Sequence, residues 1–511
     1  MALGTAMEVS EGYEFTFTAG IVTSLALLEI SLGLLSLIRP RKLRTPAHVF
    51  PAIAANLCAF LLVTVVGLLG FSNIDLEQSL DFGFDRWQPI TTYASQGFIT
   101  SFTEMVNELP IEKPEDYTPD EAQSIEQELA AAYDSTYGSS EQRAAAVAQF
   151  NEIKPTIVAV MNESFSDLSC FEQLQAAGYT GPAFYNSLPD TLVRGTMLAS
   201  VTGGGTANSE FEFLTGATTA FVGLGKIPYQ LYQMNGVNSL AKDLKELGYT
   251  TTAMHPQNPV NYHRDKIYQQ LGFGDFLSIG DFEGAPYYHA GVCDYATYDK
   301  ILDLLRTDEA PQFIFDVTMQ NHGGYGTVPA EELTNYWVEG ASEGANSALN
   351  TYLTCINASD RDLEYFINEL RNIGRPVVLV FFGDHQPSAA TTLNDELYPQ
   401  EDTASHAFRI YQSTYFVWAN YEIAGNTELN VYDTVGANEI AAITLNKIGA
   451  PLTDYQKALL ATRSDVPTIN VAGYLGADGL RYDLESEDSP CASTIDKLQR
   501  MQYLEFASKV Q

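Results

Sequence analysis

The 511-residue sequence contains few basic residues and few cysteines, and both shortages narrow its function. Lys and Arg together number 27 against 64 Asp and Glu, which gives a net charge of −37. A surface this acidic repels a phosphate backbone, so we predict that the protein binds no nucleic acid. The five cysteines form no C-x-x-C pair, which excludes a short-spaced cysteine metal site. Disulfides and free buried thiols both remain open.

Long hydrophobic runs are confined to the N-terminus, where they cover residues 19–38 and 49–71. At about 1.5 Å per residue, each run is long enough to cross a hydrocarbon core of roughly 30 Å. We predict two transmembrane helices in a membrane region, residues 1–71; a cleaved signal peptide is the alternative for the first run. The connecting stretch RPRKLRTPAH has four basic residues, so it is predicted to be cytoplasmic. The protein is therefore predicted to be a multi-pass protein of the cell membrane with an extracytoplasmic domain.

The composition changes twice after the membrane region. Residues 72–150 contain the acidic stretch IEKPEDYTPDEA and then Ala- and Glu-rich helical patterns, which predicts a tether on the outside of the main domain. Residues 151–511 alternate helical patterns with short apolar runs, which are TIVAVMNES, TTAMHP, QFIFDVTMQNH, PVVLVFFGDHQP and STYFVWAN. Runs that are apolar on both faces are typical of a mainly parallel sheet flanked by helices, so the predicted fold class is α/β.

Polar side chains stand at the ends of four of these runs. Glu163 ends the first run, His255 the second and His322 the third, and the adjacent pair Asp384 and His385 ends the fourth. In a parallel sheet the ligand crevice lies beyond the carboxyl ends of the strands. A single polar residue at such a position is commonly a satisfied turn residue, which is the alternative for each. Two carboxylates and an imidazole converging there predict a metal site.

Three consecutive glycines in VTGGGTANSEFEFLTG, residues 201–216, precede Thr206 at the start of a predicted helix. Glycine is favoured where the chain needs a positive φ or a close approach to the backbone, and a helix N-terminus favours an anion. The alternative is a flexible surface loop with Thr206 as an ordinary N-cap. The Thr206 hydroxyl can complete a four-coordinate metal site, and a metal would activate it as a nucleophile.

The motifs NESFSDL, GGGTANSEFEFLTG, HPQNPVNYHRDKIYQQLGF, MQNHGGY and FFGDHQPS resemble, in this order, those of the lipoteichoic acid synthase group. These membrane phosphoglycerol transferases belong to the alkaline phosphatase/sulfatase superfamily, and the resemblance covers about residues 80–450. It implies an alkaline phosphatase/sulfatase-like fold in which Thr206 is the nucleophile. It also implies that Glu163, Thr206, Asp384 and His385 bind one Mn²⁺, with Mg²⁺ and Zn²⁺ left open.

The resemblance further implies that His255, Tyr262, Arg264 and His322 surround the glycerophosphate. Tyr262 stands where the family usually has tryptophan, and the family usually has five membrane helices where two are predicted here. His322 either transfers a proton to and from the reacting oxygens or only hydrogen-bonds the phosphate, and a structural ion pair is the alternative for Arg264.

The implied donor is phosphatidylglycerol, which the protein meets at the membrane. The implied acceptor is a glycerol or sugar hydroxyl on a lipoteichoic acid-type polymer, a glycolipid or a cell-wall glycan. A formylglycine sulfatase is disfavoured because no cysteine or serine lies in a C/S-x-P-x-R context. A phosphoethanolamine transferase or phosphodiesterase of the same superfamily and a non-catalytic membrane-tethered scaffold remain the alternatives.

Overall fold

A computed structural model describes residues 58, 89–97, 101, 109–326, 328–484 and 489–510. The chain divides into two units, Met1–Asn107 and Glu108–Gln511, which are described separately. In the described part of the first unit, helix α1 spans Pro89–Gln96. Among the residues that the structure describes, none forms a helix with the length and apolar character that crossing a bilayer requires. The predicted spans at 19–38 and 49–71 lie outside the described residues, apart from residue 58.

The described part of the second unit is built on a central sheet of eight strands. These strands are β1 Thr156–Asn162, β2 Thr191–Leu198, β3 Thr250–Met254, β4 Asp275–Leu277, β7 Gln312–Val317, β8 Val377–Gly383, β9 Gln412–Ala419 and β10 Val431–Gly436. Their order across the sheet is β10-β2-β9-β8-β1-β7-β3-β4. Only β9 runs antiparallel to its neighbours β2 and β8, so the predicted mainly parallel sheet is confirmed.

Helices and smaller sheets surround the central sheet. The helices are α2 Pro119–Ser135, α3 Glu141–Ile153, α4 Glu172–Ala176, α5 Ala183–Ser187, α6 Thr206–Thr215, α7 Pro228–Leu231, α8 Leu240–Glu246, α9 Arg264–Gln270, α10 Asp294–Thr307, α11 Glu343–Arg371, α12 Ser388–Leu397, α13 Thr403–Ile410, α14 Ile440–Ile448, α15 Asp454–Thr462, α16 Ala492–Gln502 and α17 Ser508–Val510. The smaller strands are β5 Tyr287–Tyr288, β6 Gly291–Val292, β11 Thr468–Asn470, β12 Gly473–Leu475 and β13 Arg481–Tyr482.

Both faces of the central sheet are covered by apolar cores. Successive side chains of β1 alternate between the faces, so Ala159 packs in one core with Phe213 of α6. Val160 packs in the opposite core with Phe381 and Trp418. This two-sided burial explains why the strand sequences read as continuous apolar runs.

The strands end earlier than the apolar runs predicted. The third run was predicted to continue to His322, but β7 ends at Val317. At Gly383, the last residue of β8, the Phe165 carbonyl oxygen lies 1.8 Å from the position that a Cβ atom would occupy. A glycine is therefore required there, and the polar residues that follow each strand form loops at the same edge of the sheet.

Helices α2 and α3 lie against α14 and α15 on the outside of the second unit. Tyr133 Oη donates a hydrogen bond to Asn446 Oδ1 at 2.6 Å, and Arg143 Nη1 donates to the Asn446 carbonyl at 2.8 Å. Lys457 Nζ forms an ion pair with Asp134 Oδ2 at 2.9 Å. The described helices between residues 109 and 150 thus pack on the surface of the main unit instead of forming a core of their own.

The C-terminal segment packs against α6, the helix that begins at Thr206. The Thr218 backbone N–H, just beyond α6, donates to Gln502 Oε1 at 2.7 Å. The rings of Phe506 and Phe211 lie 4.8 Å apart between centroids. Residues after 465 therefore stabilise the position of α6, a role that the sequence did not suggest.

Candidate active site

Glu163, Asp384 and His385 lie together at the carboxyl ends of β1 and β8. These strands are parallel and in register, with Asn162 opposite Gly383, so the residues that follow them emerge side by side. One ligand atom from each of the three side chains lies within 4.8 Å of the others, and all three side chains are buried. The structure therefore brings together the two carboxylates and the imidazole that the sequence singled out.

The ligand atoms of Asp384 and His385 face each other beside Glu163. Asp384 Oδ1 accepts hydrogen bonds from the backbone N–H groups of Ser164 and His385 at 2.7 and 2.9 Å. His385 Nδ1 lies 2.9 Å from the Gln386 carbonyl oxygen, which can only accept, so Nδ1 donates and Nε2 is the nitrogen that faces Asp384. Nε2 and Asp384 Oδ2 lie 3.0 Å apart, and both are buried without a hydrogen-bond partner. Two buried acceptors in this arrangement fit a bound cation.

Glu163 completes this acceptor cluster. Its Oε1 accepts a hydrogen bond from Ser164 Oγ at 2.9 Å, and its backbone N–H donates to Thr318 Oγ1 at 3.1 Å. Burial, and then the neighbouring Asp384 carboxylate, raise the pKa of Glu163. A cation between the carboxylates would reverse this effect, so metal binding and proton binding compete at Glu163.

Ser164 is a site residue that the sequence reasoning missed. Its φ of 55° lies in the left-handed region, which is uncommon for a residue other than glycine. This conformation turns the chain directly after Glu163 and presents the Ser164 N–H to Asp384. Strained backbone of this kind persists where its surroundings hold it, and it is concentrated at functional sites.

The backbone conformation before Thr206 requires glycine. Gly203 and Gly205 have φ values of 66° and 87°, a region that side chains with a Cβ disfavour. A Cβ at Gly204 would meet no atom within 4 Å, so open space lies beside this residue. Helix α6 then begins at Thr206, which is buried. Both the positive φ and the clear space that the glycines predicted are present.

Two hydrogen bonds attach the start of α6 to the loop that carries Asp384 and His385. The Gly203 N–H donates to the Gln386 carbonyl at 2.8 Å. Ser209 Oγ donates to the Asp384 carbonyl at 2.6 Å. These bonds place the first turn of α6, including Thr206, against the loop that holds two of the three acceptor side chains.

His255 and His322 follow neighbouring strands, β3 and β7. His255 is buried, and its Nδ1 lies 2.9 Å from the Val317 carbonyl, so Nδ1 donates and Nε2 is the acceptor. Burial, and then the charges of Arg264 and His322, lower the pKa of His255, so its imidazole is neutral at pH 7. His322 is exposed on the loop after β7. One histidine is therefore fixed inside the site and the other is accessible to a ligand.

Arg264 begins α9 and forms a buried ion pair with Glu210 of α6. Its Nε donates to Glu210 Oε1 at 3.0 Å, and its Nη2 donates to the same oxygen. The Glu210 carboxylate raises the pKa of Arg264 despite the opposing effect of burial. The Tyr262 ring centroid lies 5.0 Å from Arg264 Cζ. The ion-pair alternative for Arg264 is thus observed, and it leaves a substrate contact open because Nη1 makes no hydrogen bond within the described residues.

One further sequence pattern does not form a site. Residues 340–344 read G-x-S-x-G, the pattern of a serine hydrolase elbow. Ser342 instead caps α11, with no strand leading into it, and its Oγ donates to Glu396 Oε1 at 2.7 Å. The pattern therefore marks a helix N-terminus and supplies no nucleophile.

Comparison with known proteins agrees with this geometry. Residues 155–440, more than half of the chain, match the family described as Sulfatase. The chain belongs to the sulfatase family. The match covers β1 to the start of α14 and includes every residue of the acceptor cluster.

Individual relatives show which members of this family the chain resembles. A putative cyclic beta-1,2-glucan modification protein of Rhizobium meliloti is 31% identical over 252 residues, which cover 49% of this chain and 38% of the relative. The lipoteichoic acid synthase of Staphylococcus saprophyticus is 28% identical over 168 residues, 31% of this chain and 24% of that enzyme. The predicted resemblance to the lipoteichoic acid synthase group is confirmed. The sulfatase-family chain nevertheless spans less than half of the length of these curated relatives.

A solved structure shares the fold. The Streptococcus pyogenes phosphoglycerol transferase GacH, in complex with sn-glycerol-1-phosphate, superposes with a TM-score of 0.59 at 23% identity. The alignment covers 77% of this chain and 95% of that chain. The predicted alkaline phosphatase/sulfatase-like α/β fold is therefore confirmed for the second unit.

Proposed function

We propose that this sulfatase-family protein transfers glycerophosphate from a phosphatidylglycerol donor to a hydroxyl acceptor through a covalent intermediate on Thr206. The observation that carries this proposal is the buried cluster of unpaired acceptor atoms beside the first turn of α6. The choice of transferred group is supported by the similarity to the lipoteichoic acid synthase and by the neighbour GacH, which was solved with sn-glycerol-1-phosphate.

The cluster of Glu163, Asp384 and His385 would hold a metal ion, with the Thr206 hydroxyl as the fourth ligand. Carboxylate oxygens and a neutral imidazole suit Mn²⁺, which we propose, and also Mg²⁺ or Zn²⁺. When bound, the ion would lower the pKa of a ligating hydroxyl and neutralise charge on phosphoryl oxygens.

In the first step, the Thr206 oxygen forms a bond to the donor phosphorus, and the bond from phosphorus to the diacylglycerol oxygen breaks. The products are glycerophosphoryl-Thr206 and diacylglycerol; the hydroxyl proton of Thr206 passes to solvent, and diacylglycerol takes up a proton as it leaves. The accessible His322 is proposed to donate that proton. Arg264, with Tyr262 over its guanidinium and neutral His255 nearby, is proposed to bind the phosphate oxygens.

In the second step, an acceptor hydroxyl attacks the same phosphorus and the bond to the Thr206 oxygen breaks. His322 takes the proton of the acceptor, and the Thr206 oxygen regains its hydroxyl by taking a proton from solvent. The acceptor is proposed to be a glycerol or sugar hydroxyl of a polymer, glycolipid or cell-wall glycan. The relative from Rhizobium meliloti, named as a glucan modification protein, supports a glycan among these.

We further propose that residues 1–71 anchor the protein in the cell membrane and that residues 72–150 connect the anchor to an extracytoplasmic catalytic domain, residues 151–511. The apolar runs and the basic loop between them support this arrangement. It would bring the site to lipid headgroups on the outer surface.

Mass spectrometry tests the proposal directly. The full chain, in detergent, is incubated with phosphatidylglycerol and Mn²⁺, and the peptide that contains Thr206 is analysed for a glycerophosphoryl adduct while diacylglycerol is quantified. We expect an adduct that is absent after chelation and absent in Thr206→Ala. Thr202→Ala is the matched control, since Thr202 lies in the same loop and its hydroxyl forms a hydrogen bond with Thr391 Oγ1 at 3.2 Å.

The outcomes separate the alternatives. An adduct formed from phosphatidylethanolamine but not from phosphatidylglycerol would identify a phosphoethanolamine transferase. Diacylglycerol release without transfer to any added acceptor would favour a phosphodiesterase. Neither adduct nor diacylglycerol in a folded, Mn²⁺-bound protein would refute the proposal and favour a scaffold.

A further inference from the structure

Helix α6 carries Thr206 at its first position and Glu210 one turn later. Side chains four residues apart lie on the same face of a helix. The Glu210 carboxylate is fully buried and accepts hydrogen bonds from Arg264 through Oε1 and from Tyr268 Oη through Oε2, the latter at 2.6 Å. The helix that presents the proposed nucleophile therefore also holds the proposed phosphate-binding guanidinium.

The Arg264 side chain has little freedom in this arrangement. The Arg264 side chain is 2% exposed and that of Glu210 is 0% exposed. Each buried charge is therefore neutralised by the other, and removing one would leave the other unpaired. Nε and Nη2 are both directed at Glu210, which leaves Nη1 without a hydrogen bond in the part of the chain that the structure describes. A guanidinium held at two nitrogens offers the third in a fixed direction, which suits a planar contact with a phosphate oxygen.

The backbone before Arg264 supports the same interpretation. Tyr262 and His263 have φ values of 53° and 58°, so two consecutive residues other than glycine adopt the left-handed conformation. Such residues are strained, and the surrounding contacts must hold them. The ion pair with Glu210 is the contact that fixes Arg264 immediately after this strained turn.

We propose that Glu210 is a positioning residue that orients Arg264 toward the phosphate of a substrate bound at Thr206. This inference rests on the proposed function, since it takes the ligand to be a phosphate ester. One turn of α6 then sets the spacing between the attacking hydroxyl and the guanidinium that neutralises the phosphoryl oxygens. Glu210 acts through Arg264 and does not touch the substrate.

A second ion pair in the protein provides a matched control. Arg463 Nη1 lies 2.9 Å from Glu439 Oε2, and both side chains are largely buried. Glu439 lies after β10 and outside the proposed site. Replacing either glutamate by glutamine removes the charge and keeps the size, but Arg463 also pairs with Asp433 at 2.8 Å, so Glu439→Gln should lose less thermal stability than Glu210→Gln and controls for the loss of a buried carboxylate.

Binding of sn-glycerol 1-phosphate tests the inference, measured by titration calorimetry on the full chain with Mn²⁺. We expect Glu210→Gln to bind about tenfold more weakly or worse, because a hydrogen bond to a charged group loses its alignment. Glu439→Gln should bind as the wild type does. In an Arg264→Gln background, Glu210→Gln should cause no further loss, since no guanidinium is left to orient.

A variant with an unpaired buried arginine can fail to fold, so Tyr268→Phe is the second variant. It removes one hydrogen bond to Glu210, keeps both charges, and is expected to weaken binding less than Glu210→Gln does. Unchanged affinity in either folded variant would overturn the inference, and so would a wild-type protein that binds no glycerol phosphate. The proposed function is judged separately, by diacylglycerol release from phosphatidylglycerol, so a protein that binds the ester without this release refutes only that function.

Discussion

Replacing Asp384 by asparagine should abolish metal binding and yet stabilise the metal-free protein. Asp384 Oδ2 is buried without an assigned hydrogen-bond partner and faces Nε2 of His385 at 3.0 Å. The amide nitrogen of asparagine would donate to Nε2, while the remaining oxygen would keep its bonds from Ser164 and His385. Satisfying a buried polar group is worth about 1–3 kcal/mol, so the free energy of unfolding without metal should rise by that amount.

When metal is present, we expect the wild type to gain stability that Asp384→Asn does not gain. A ligand at 100 times its Kd stabilises the folded state by about 2.7 kcal/mol, and Asp384→Asn should lose this contribution. At about 2.1 cal/mol/K per residue, a unit of roughly 400 residues shifts its Tm by about 1 °C for each kcal/mol. Asp384→Asn should therefore melt about 1–3 °C above the wild type in EDTA and show no increase with Mn²⁺.

Differential scanning fluorimetry in EDTA and in Mn²⁺ measures both effects. Asp316→Asn is the matched control, because Asp316 is a buried aspartate of β7 whose Oδ2 accepts from Thr297 Oγ1 at 2.6 Å. Burial raises the pKa of Asp316 to about 8, and Asp316 is not one of the three side chains of the acceptor cluster, so its substitution should leave the Mn²⁺ response intact. The reasoning would be refuted if the Tm of Asp384→Asn in EDTA were lower than that of the wild type. It would also be refuted if Mn²⁺ still raised the Tm of the variant.

Two other predictions follow from the same site. The raised pKa of Glu163 means that a proton competes with the metal, so Mn²⁺ affinity should fall as the pH is lowered, by up to about tenfold per unit. Calorimetry across pH that finds a constant affinity would contradict this. Gly205→Ala, at φ 87°, should lose about 1–2 kcal/mol of unfolding free energy and also activity. Gly374→Ala, at φ 77° and away from the site, should lose similar stability in chemical denaturation but keep activity; equal activities would refute a role for the glycine loop.

The fold was largely predictable because its core strands are apolar on both faces. The runs around Val158, Phe315 and Leu379 are unambiguous, and these became β1, β7 and β8. Strand β2 was missed because Arg194 and Gly195 interrupt its apolar pattern. The antiparallel direction of β9 was not predictable either, since an apolar run carries no information on the direction of its neighbours.

The sequence alone determined which chemistry is available at the site. Glu163, Asp384 and His385 are recognisable because polar residues directly after buried parallel strands must meet at one edge of the sheet. The glycines before Thr206 are recognisable because only glycine adopts their backbone conformation without strain. Both patterns involve residues that are close together in the chain, so they can be recognised in the sequence without the tertiary structure.

Only the tertiary structure decided how these residues are paired and held. Nothing in the chain order joins Glu210 to Arg264, which lie 54 positions apart, or Ser164 to Asp384, which lie 220 apart. Packing on the central sheet brings them together, and burial then makes each charge and each unpaired lone pair depend on its neighbour. Hydrogen-bond geometry and the direction of each pKa shift arise from that burial, so they exist only in the folded protein.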